Sequence, residues 1–346
     1  MAGAVNFVWN YCNETNFEYI RKHHKWVTAY TMHNFTKGCS KDLGIRSSTI
    51  QCIAEEHAQK RTQFKRVKLA WRSAKKSLGW IPFKGLTGRN INVKNDEVIY
   101  NGHRIKFWKS RQIEGRIKCG SFNQDARRRW YVNFQCEVPD KTREITGKSI
   151  GIDLGLKTLA TLSNGVKYVG SRNYRALEKE LAMAQRAHKN RRVKAIHKKI
   201  ENRRKDEIHK ITTELIKNYD TIFVGDVSSL KLLKTSMAKS VHDSGWGFFR
   251  YSLAYKAIRL GNDVIEVKEM FSTITCSVCF SQTGPSGLSG LGVRNWTCSV
   301  CNAVHDRDVN AAQNIFNFGL GHQSPKGDIL KNVNANRRGT GINLNV

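Results

Sequence analysis

Residues 149–170 read SIGIDLGLKTLATLSNGVKYVG, and the fold turns on how that stretch is punctuated. Short β-prone runs are separated by a Leu-Gly step after Asp153 and by Asn164-Gly165, a dipeptide suited to a tight hairpin turn. Three strands are predicted. The first is apolar except for Asp153, whose carboxylate carries a desolvation cost unless it meets a cation or accepts backbone N–H groups at the strand end. On this stretch alone both readings stand.

Working outward, residues 173–219 form a long helical stretch, and TIFVGDV (221–227) is a strand. WGFFRYSLAYKAIRLG (246–261) is a helix ending at Gly261, DVIEVKE (263–269) a strand, and DVNAAQNIFNFG (308–319) a helix. Strand–strand–strand–helix–strand–helix–strand–helix is the order of an RNase H-like α/β fold, although several α/β folds share it. Residues 1–80 read as helical, with SSTIQCIAEEHAQKRTQFKRVKLAWRSAKKS (47–77) as one continuous pattern behind a Ser-Ser start. Residues 81–147 are β-rich, with Asn-Gly and Gly turns suggesting hairpins of a small antiparallel barrel or sheet, and 139–146 is a polar connector. The predicted division is 1–80, 81–147, 148–271, 272–305, 306–320, and a disordered tail at 321–346 rich in Gly, Asn and Lys.

The chain has 346 residues, with 59 Lys and Arg against 28 Asp and Glu, a formal net charge of +31. No compact fold is stabilised by that self-repulsion, so a polyanionic partner is expected. Nucleic acid fits better than a membrane surface, because no run of eighteen apolar residues, signal peptide or lipidation motif is present. Basic residues gather at 60–76, 104–129 and 186–205, half of the last segment being Lys or Arg. If about ten phosphates are neutralised, affinity falls with a log-salt slope near about −9. Trp71, Trp80, Trp108 and Trp130 lie among these charges and could stack on bases, but any one of them is more often core, and none is assigned a site.

Nine cysteines are present. Cys12, Cys39, Cys52, Cys119 and Cys136 are scattered, whereas Cys276-x-x-Cys279 and Cys298-x-x-Cys301 are separated by eighteen residues, the spacing of a four-cysteine zinc ribbon. Such a shell is closed and structural, and it implies a reducing compartment. His305 follows closely and is expected beside the shell, as a polar neighbour.

Two acids complete the pattern. Asp308 in HDRDVNAAQNI opens a helix, where Asp is also a common N-cap; Asp306 could equally be that cap. A two-metal nuclease needs carboxylates from separate strands and helix ends holding cations roughly 4 Å apart. Asp153, a later strand-end acid, a zinc module and Asp308, in that order, fit such a constellation.

At these residues the chain resembles TnpB, the insertion-sequence protein that is similar to miniature type V CRISPR effectors. The resemblance runs through FVWN, LGWIPFKG, GSFNQDARRRWYV, GIDLGLKTLATLSNG, VGDVSSLKLLKTSMAKSVHDSGWG, STITCSVC and HDRDVNAAQNI. It implies a split RuvC-type nuclease domain with a zinc-ribbon insertion that binds the target nucleic acid, preceded by a helical recognition part and a β-barrel wedge part. It further implies a magnesium-dependent endonuclease guided by an RNA from the transposon end, one or two copies per RNA, cutting double-stranded DNA beside a short flanking motif in the prokaryotic cytoplasm and nucleoid. Asp153 matches the family's first RuvC aspartate and Asp308 its last. Where many relatives carry a glutamate after the second apolar run, this chain has Gly225. Glu269, ending the neighbouring strand, is the expected substitute, as in a subset of relatives. Asp226 is the alternative, although strand alternation points it the other way. Met1 leads almost straight into VNFVWN, so a leading strand found in many relatives is expected to be missing, which bears on the wedge part. Loss of the third acid would leave a nuclease-dead RNA-guided repressor, and a DNA-strand transposase is the other competing class.

Overall fold

The computed structural model describes residues 1–84, 91–94, 96–139, 145–227, 244–290, 292–321 and 329–332. The chain divides after Pro139 into two compact units.

The first unit opens with helices α1 (Ala2–His23), α2 (Ala29–Phe35), α3 (Cys39–Leu43) and α4 (Ser47–Phe64). Six strands follow: β1 (Trp80–Lys84), β2 (Ile91–Lys94), β3 (Glu97–Tyr100), β4 (His103–Lys106), β5 (Arg116–Gln124) and β6 (Trp130–Glu137). They form two three-stranded antiparallel sheets, β1-β5-β6 and β2-β3-β4, with no closed barrel among the described residues. The expected border near residue 80 does not separate two cores. Val5, Val8 and Ile53 of the helices and Phe83, Val98, Tyr100 and Phe122 of the strands bury in one cluster, because short helices and small sheets of this size each lack enough apolar area alone.

The predicted helix over 47–77 stops at Phe64. Lys65 turns left-handed, and the chain then runs extended along α1, where the side-chain amides of Asn10 and Asn13 exchange hydrogen bonds with the backbone of Arg72 and Leu69. The charged pattern continued, but these paired amides offered the backbone another partner.

The second unit is built on β7 (Ser149–Asp153), β8 (Ala160–Leu162), β9 (Lys167–Tyr168), β10 (Thr221–Gly225), β11 (Asp263–Val267) and β14 (Ile329–Asn332), in sheet order β14-β11-β10-β7-β8-β9. β7, β8 and β9 make an antiparallel meander, with Gly165 at φ 90° in the predicted turn. β10 lies parallel to both β7 and β11. Helices α5 (Asn173–Arg186), α6 (Asn190–Asn218), α7 (Trp246–Leu260) and α8 (Arg307–Gly319) accompany the sheet, and β12 (Asn295–Thr297) pairs with β13 (Val304–Asp306). The helical stretch predicted over 173–219 is thus two helices. His188 adopts φ 51° between them, and the chain doubles back so that Leu177, Leu181 and Ala184 pack on Ile196 and Ile200. The predicted tail contains β14, which pairs antiparallel with the free edge of β11, a departure from the expected disorder at those four residues. The remainder of that tail beyond Gly321, most of the polar connector and the segment 228–243 lie outside the described residues.

Strand alternation sorts the two faces of this sheet. Ile150, Ile152, Ile222, Val224 and Val264 bury against α6 and α7, while Phe223 and Val267 bury against Ile315 and Phe318 of α8. Gly151 faces α8 so closely that a Cβ there would strike the Ala312 carbonyl and Phe316. By the same parity Asp153 and Gly225 also point to the α8 side.

Candidate active site and metal centre

Parallel pairing brings three strand ends level. Ile152 stands opposite Val224, and Gly225 opposite Val267, so Asp153 and Gly225 finish at one edge and Glu269 follows two residues beyond it. That carboxyl edge of a parallel α/β sheet is where ligands bind. α8 begins there too. Asp306 is its N-cap, accepting the N–H groups of Asp308 and Val309 at 3.1 and 3.0 Å, which leaves Asp308 free of that duty and inside the first turn.

Gly225 explains how Glu269 enters. A Cβ built at Gly225 would lie 2.6 Å from Glu269 Oε2 and 3.5 Å from its Cβ, so the Glu269 carboxylate fills the space a side chain at 225 would take. Asp226 turns elsewhere. Its N–H donates to the Val267 carbonyl, and its Oδ1 accepts the Glu269 N–H at 3.1 Å. Asp226 therefore holds the backbone that carries Glu269.

The charges report the convergence. Burial pushes the Asp153 carboxyl up to about 8, and the nearby charges of Glu269 and Asp308 push the same way against Arg307. Burial, then Asp226, pushes Glu269 up to about 7 against Arg250. A carboxyl raised by two neighbouring acids in a partly enclosed site would be relieved by a cation, and oxygen-only donors of this kind suit magnesium. Meanwhile Arg294 Nη1 contacts Asp308 Oδ1 at 2.9 Å, and Lys167 Nζ contacts Asp306 Oδ2 at 2.7 Å. Burial works against ionisation of Asp306, but Lys167 and the two N–H groups hold it below the usual carboxylate range.

The four cysteines come from two matching knuckles. The Phe280 N–H bonds the Cys276 carbonyl and the Asn302 N–H the Cys298 carbonyl, and Phe280 and Asn302 both turn left-handed, at φ 61° and 59°. Their sulfurs all lie within 4.8 Å of one another, with Cys276–Cys301 and Cys279–Cys298 each at 3.6 Å. A tetrahedral shell with metal–sulfur bonds of about 2.3 Å has edges of about 3.8 Å, so the cluster fits one ion. Ser281 and then the Thr283 hydroxyl hold Cys298 down to about 5, favouring the thiolate a metal needs. His305 stacks on Trp296 and places Nε2 3.0 Å from Cys276 Sγ, beside the shell.

Residues 133–235 match a family model described as "Probable transposase", and residues 246–315 match one described as "Cas12f1-like, TNB domain". A Streptomyces pristinaespiralis protein named "Putative RNA-guided DNA endonuclease" is 34% identical over 212 residues, 57% of this chain and 52% of that protein. TnpB-like protein L79 of Acanthamoeba polyphaga mimivirus is 30% identical over 139 residues, 38% of this chain and 26% of that protein. The chain is thus similar to TnpB-like proteins and to proteins named as RNA-guided endonucleases. It spans about half the length of the first of these relatives and about a quarter of the second. The fold is also that of a solved chain in a Cas12f1-sgRNA-target DNA complex, with TM-score 0.63 at 12% identity, covering 90% of this chain and 80% of that one.

The basic segments of the chain are not uniform. Arg61 is buried, donating to the Val27 carbonyl and stacking on Trp26, while Arg72 bonds Asn6 and the Leu78 carbonyl beside Trp9 and Trp80. Those two cations from 60–76 serve packing. Trp80 packs against the first unit's core, whereas Trp108 is 91% exposed and Trp71 and Trp130 are about half exposed. No described helix is long and apolar enough to cross a membrane. Sequence reasoning missed Arg294, Lys167 and the asparagines of α8. Only the last left a trace, three asparagines in a helix at 310, 314 and 317, where that residue is a poor helix former.

Proposed function

We propose that this chain is an RNA-guided DNA endonuclease of the TnpB kind, whose second unit is an RNase H-like, RuvC-type nuclease. One observation carries the reading: Glu269, from a neighbouring strand end, and Asp308, from a helix start, both come close enough to Asp153 at one sheet edge to raise its carboxyl. Asp153, Glu269 and Asp308 are the ligands of divalent metal, and Asp226 positions Glu269. Magnesium bound there would supply an activated water and stabilise the leaving oxygen of a phosphodiester. Arg294 keeps Asp308 compensated until the ions arrive. Cys276, Cys279, Cys298 and Cys301 hold a structural zinc. The exposed lysines and arginines of both units grip a guide RNA from the transposon end and the target duplex through their phosphates, leaving sequence choice to base pairing beside a short flanking motif. The helical and β-rich parts of the first unit serve as recognition and wedge regions.

The test is purification with RNA from the element's end, followed by incubation with plasmid carrying the matching target. Guide- and magnesium-dependent cuts that vanish in Asp153→Ala support the reading. Target binding without cuts would make the chain a repressor, and guide-independent strand joining would make it a transposase.

A further inference from the structure

Helix α8 carries Asn310, Gln313, Asn314 and Asn317 on one face, and Asn310 and Asn314 are 1% and 0% exposed. All four reach the same short segment, 272–277. The Asn310 amide donates to the carbonyls of Ser272 and Thr275 at 3.2 and 2.8 Å, and the Asn314 amide donates to the same two at 2.8 and 2.6 Å. Asn310 Oδ1 accepts the Ser277 N–H at 2.9 Å, Gln313 accepts the Ser277 hydroxyl at 2.7 Å, and Asn317 donates to the Ser277 carbonyl at 3.3 Å.

That segment has Glu269 just before it and Cys276 within it. The Ser272 N–H bonds the Glu269 carbonyl at 3.0 Å, and beyond the turn the chain enters the first cysteine knuckle. Glu269 is thus fixed at two points: Asp226 takes its N–H, and its carbonyl is tied through Ser272 to the amides of α8. Asp308 stands two residues before Asn310 on the same helix. We infer that Asn310 and Asn314 are positioning residues that set the separation of Glu269 from Asp308 and transmit the state of the cysteine cluster to the acids. The inference rests on the reading of those acids as divalent-ion ligands.

Each of the two carbonyls has two amide donors, so Asn310→Ala or Asn314→Ala leaves both with one partner, and the single variants are expected to fold, Asn310→Ala with the further loss of the acceptor for the Ser277 N–H. The experiment uses the whole chain with its guide RNA. Manganese binding is followed by the paramagnetic signal of the free ion, and the site-specific part is that lost in Asp153→Asn. Cysteine-bound metal is measured alongside, and cutting is followed against magnesium. Asn314→Ala should weaken site-specific manganese binding about 10-fold or more, as loss of supporting contacts around metal ligands does. Cysteine-bound metal should be unchanged, and the cutting defect should be partly recovered at high magnesium. Asn317→Ala, at the rim, should stay within about two-fold.

Manganese affinity within two-fold of wild type in both Asn310→Ala and Asn314→Ala overturns the assignment and leaves the asparagines as packing. Coupling is tested by Cys301→Ser, whose loss of manganese affinity should be smaller in the Asn314→Ala background; full additivity overturns that half of the inference. Should the wild type bind manganese and cut nothing, the nuclease reading fails while the positioning role stands on the binding data.

Discussion

The two clusters of the second unit are opposites in construction. The cysteines sit within 26 residues of one another, on two knuckles that repeat one backbone pattern, and enclose a space the size of one ion. The acids are drawn from positions 153, 269 and 308, and no local turn unites them. Their donor atoms do not form so tight a set among the described residues, and part of their charge is answered by Arg294 on Asp308. A closed shell stores its information in spacing. An open one must be held together by the whole fold, and its like charges raise the most buried of the acids, Asp153.

That contrast can be broken from either side. The largest effect is expected at Asp153: Asp153→Ala should lower cutting by about a thousand-fold or more while guide-dependent target binding stays within about two-fold, measured on the same preparation. Loss of binding would instead mean that the acid holds the fold. Next, Cys276→Ser or strong chelation should release the ribbon metal and abolish the cooperative melting of residues 272–305, followed by limited proteolysis. An unchanged digestion pattern would sink the structural role of the cluster.

Glu269 and Asp226 should separate more finely. Glu269→Ala should cost roughly a hundred-fold or more in rate, and Asp226→Asn, which keeps an acceptor for the Glu269 N–H, less than about ten-fold. Equal rates for Glu269→Ala and wild type would remove Glu269 from the site. The smallest effect is on stability. Without divalent metal the folded protein keeps protons on Asp153 and Glu269 that the unfolded chain releases, since both groups titrate higher when folded, at about 8 and about 7. Stability from these groups is therefore present at low pH and is lost as pH rises from about 4 to about 8. Asp153→Asn should flatten that decline in melting temperature, and magnesium should oppose it in the wild type.

The sequence carried much of this layout, for physical reasons. Asp153 and Asp308 stood out because a carboxylate at the end of an apolar strand, or in the opening turn of a helix, is conspicuous against its surroundings. Gly225 and the strand DVIEVKE together pointed to Glu269, since parallel neighbours end at one edge. The break at His188 and the end of α4 at Phe64 were hidden, because Lys and Arg continue across both with no proline or glycine to mark a stop. The shared core of the first unit depends on contacts such as Thr49 to Tyr100, fifty-one residues apart, which no periodicity reveals. Arg294 looked like one basic residue among 59. Its meeting with Asp308 exists only once β12 has folded beside the start of α8.

The vacancy at Gly225 also constrains how such a protein could have changed over time. A lineage moving its acid from position 225 to 269 cannot comfortably hold both, because two ionised groups would crowd a volume that fits one. Gly225→Glu in this chain should therefore impair the protein on its own and recover once Glu269 is trimmed to alanine.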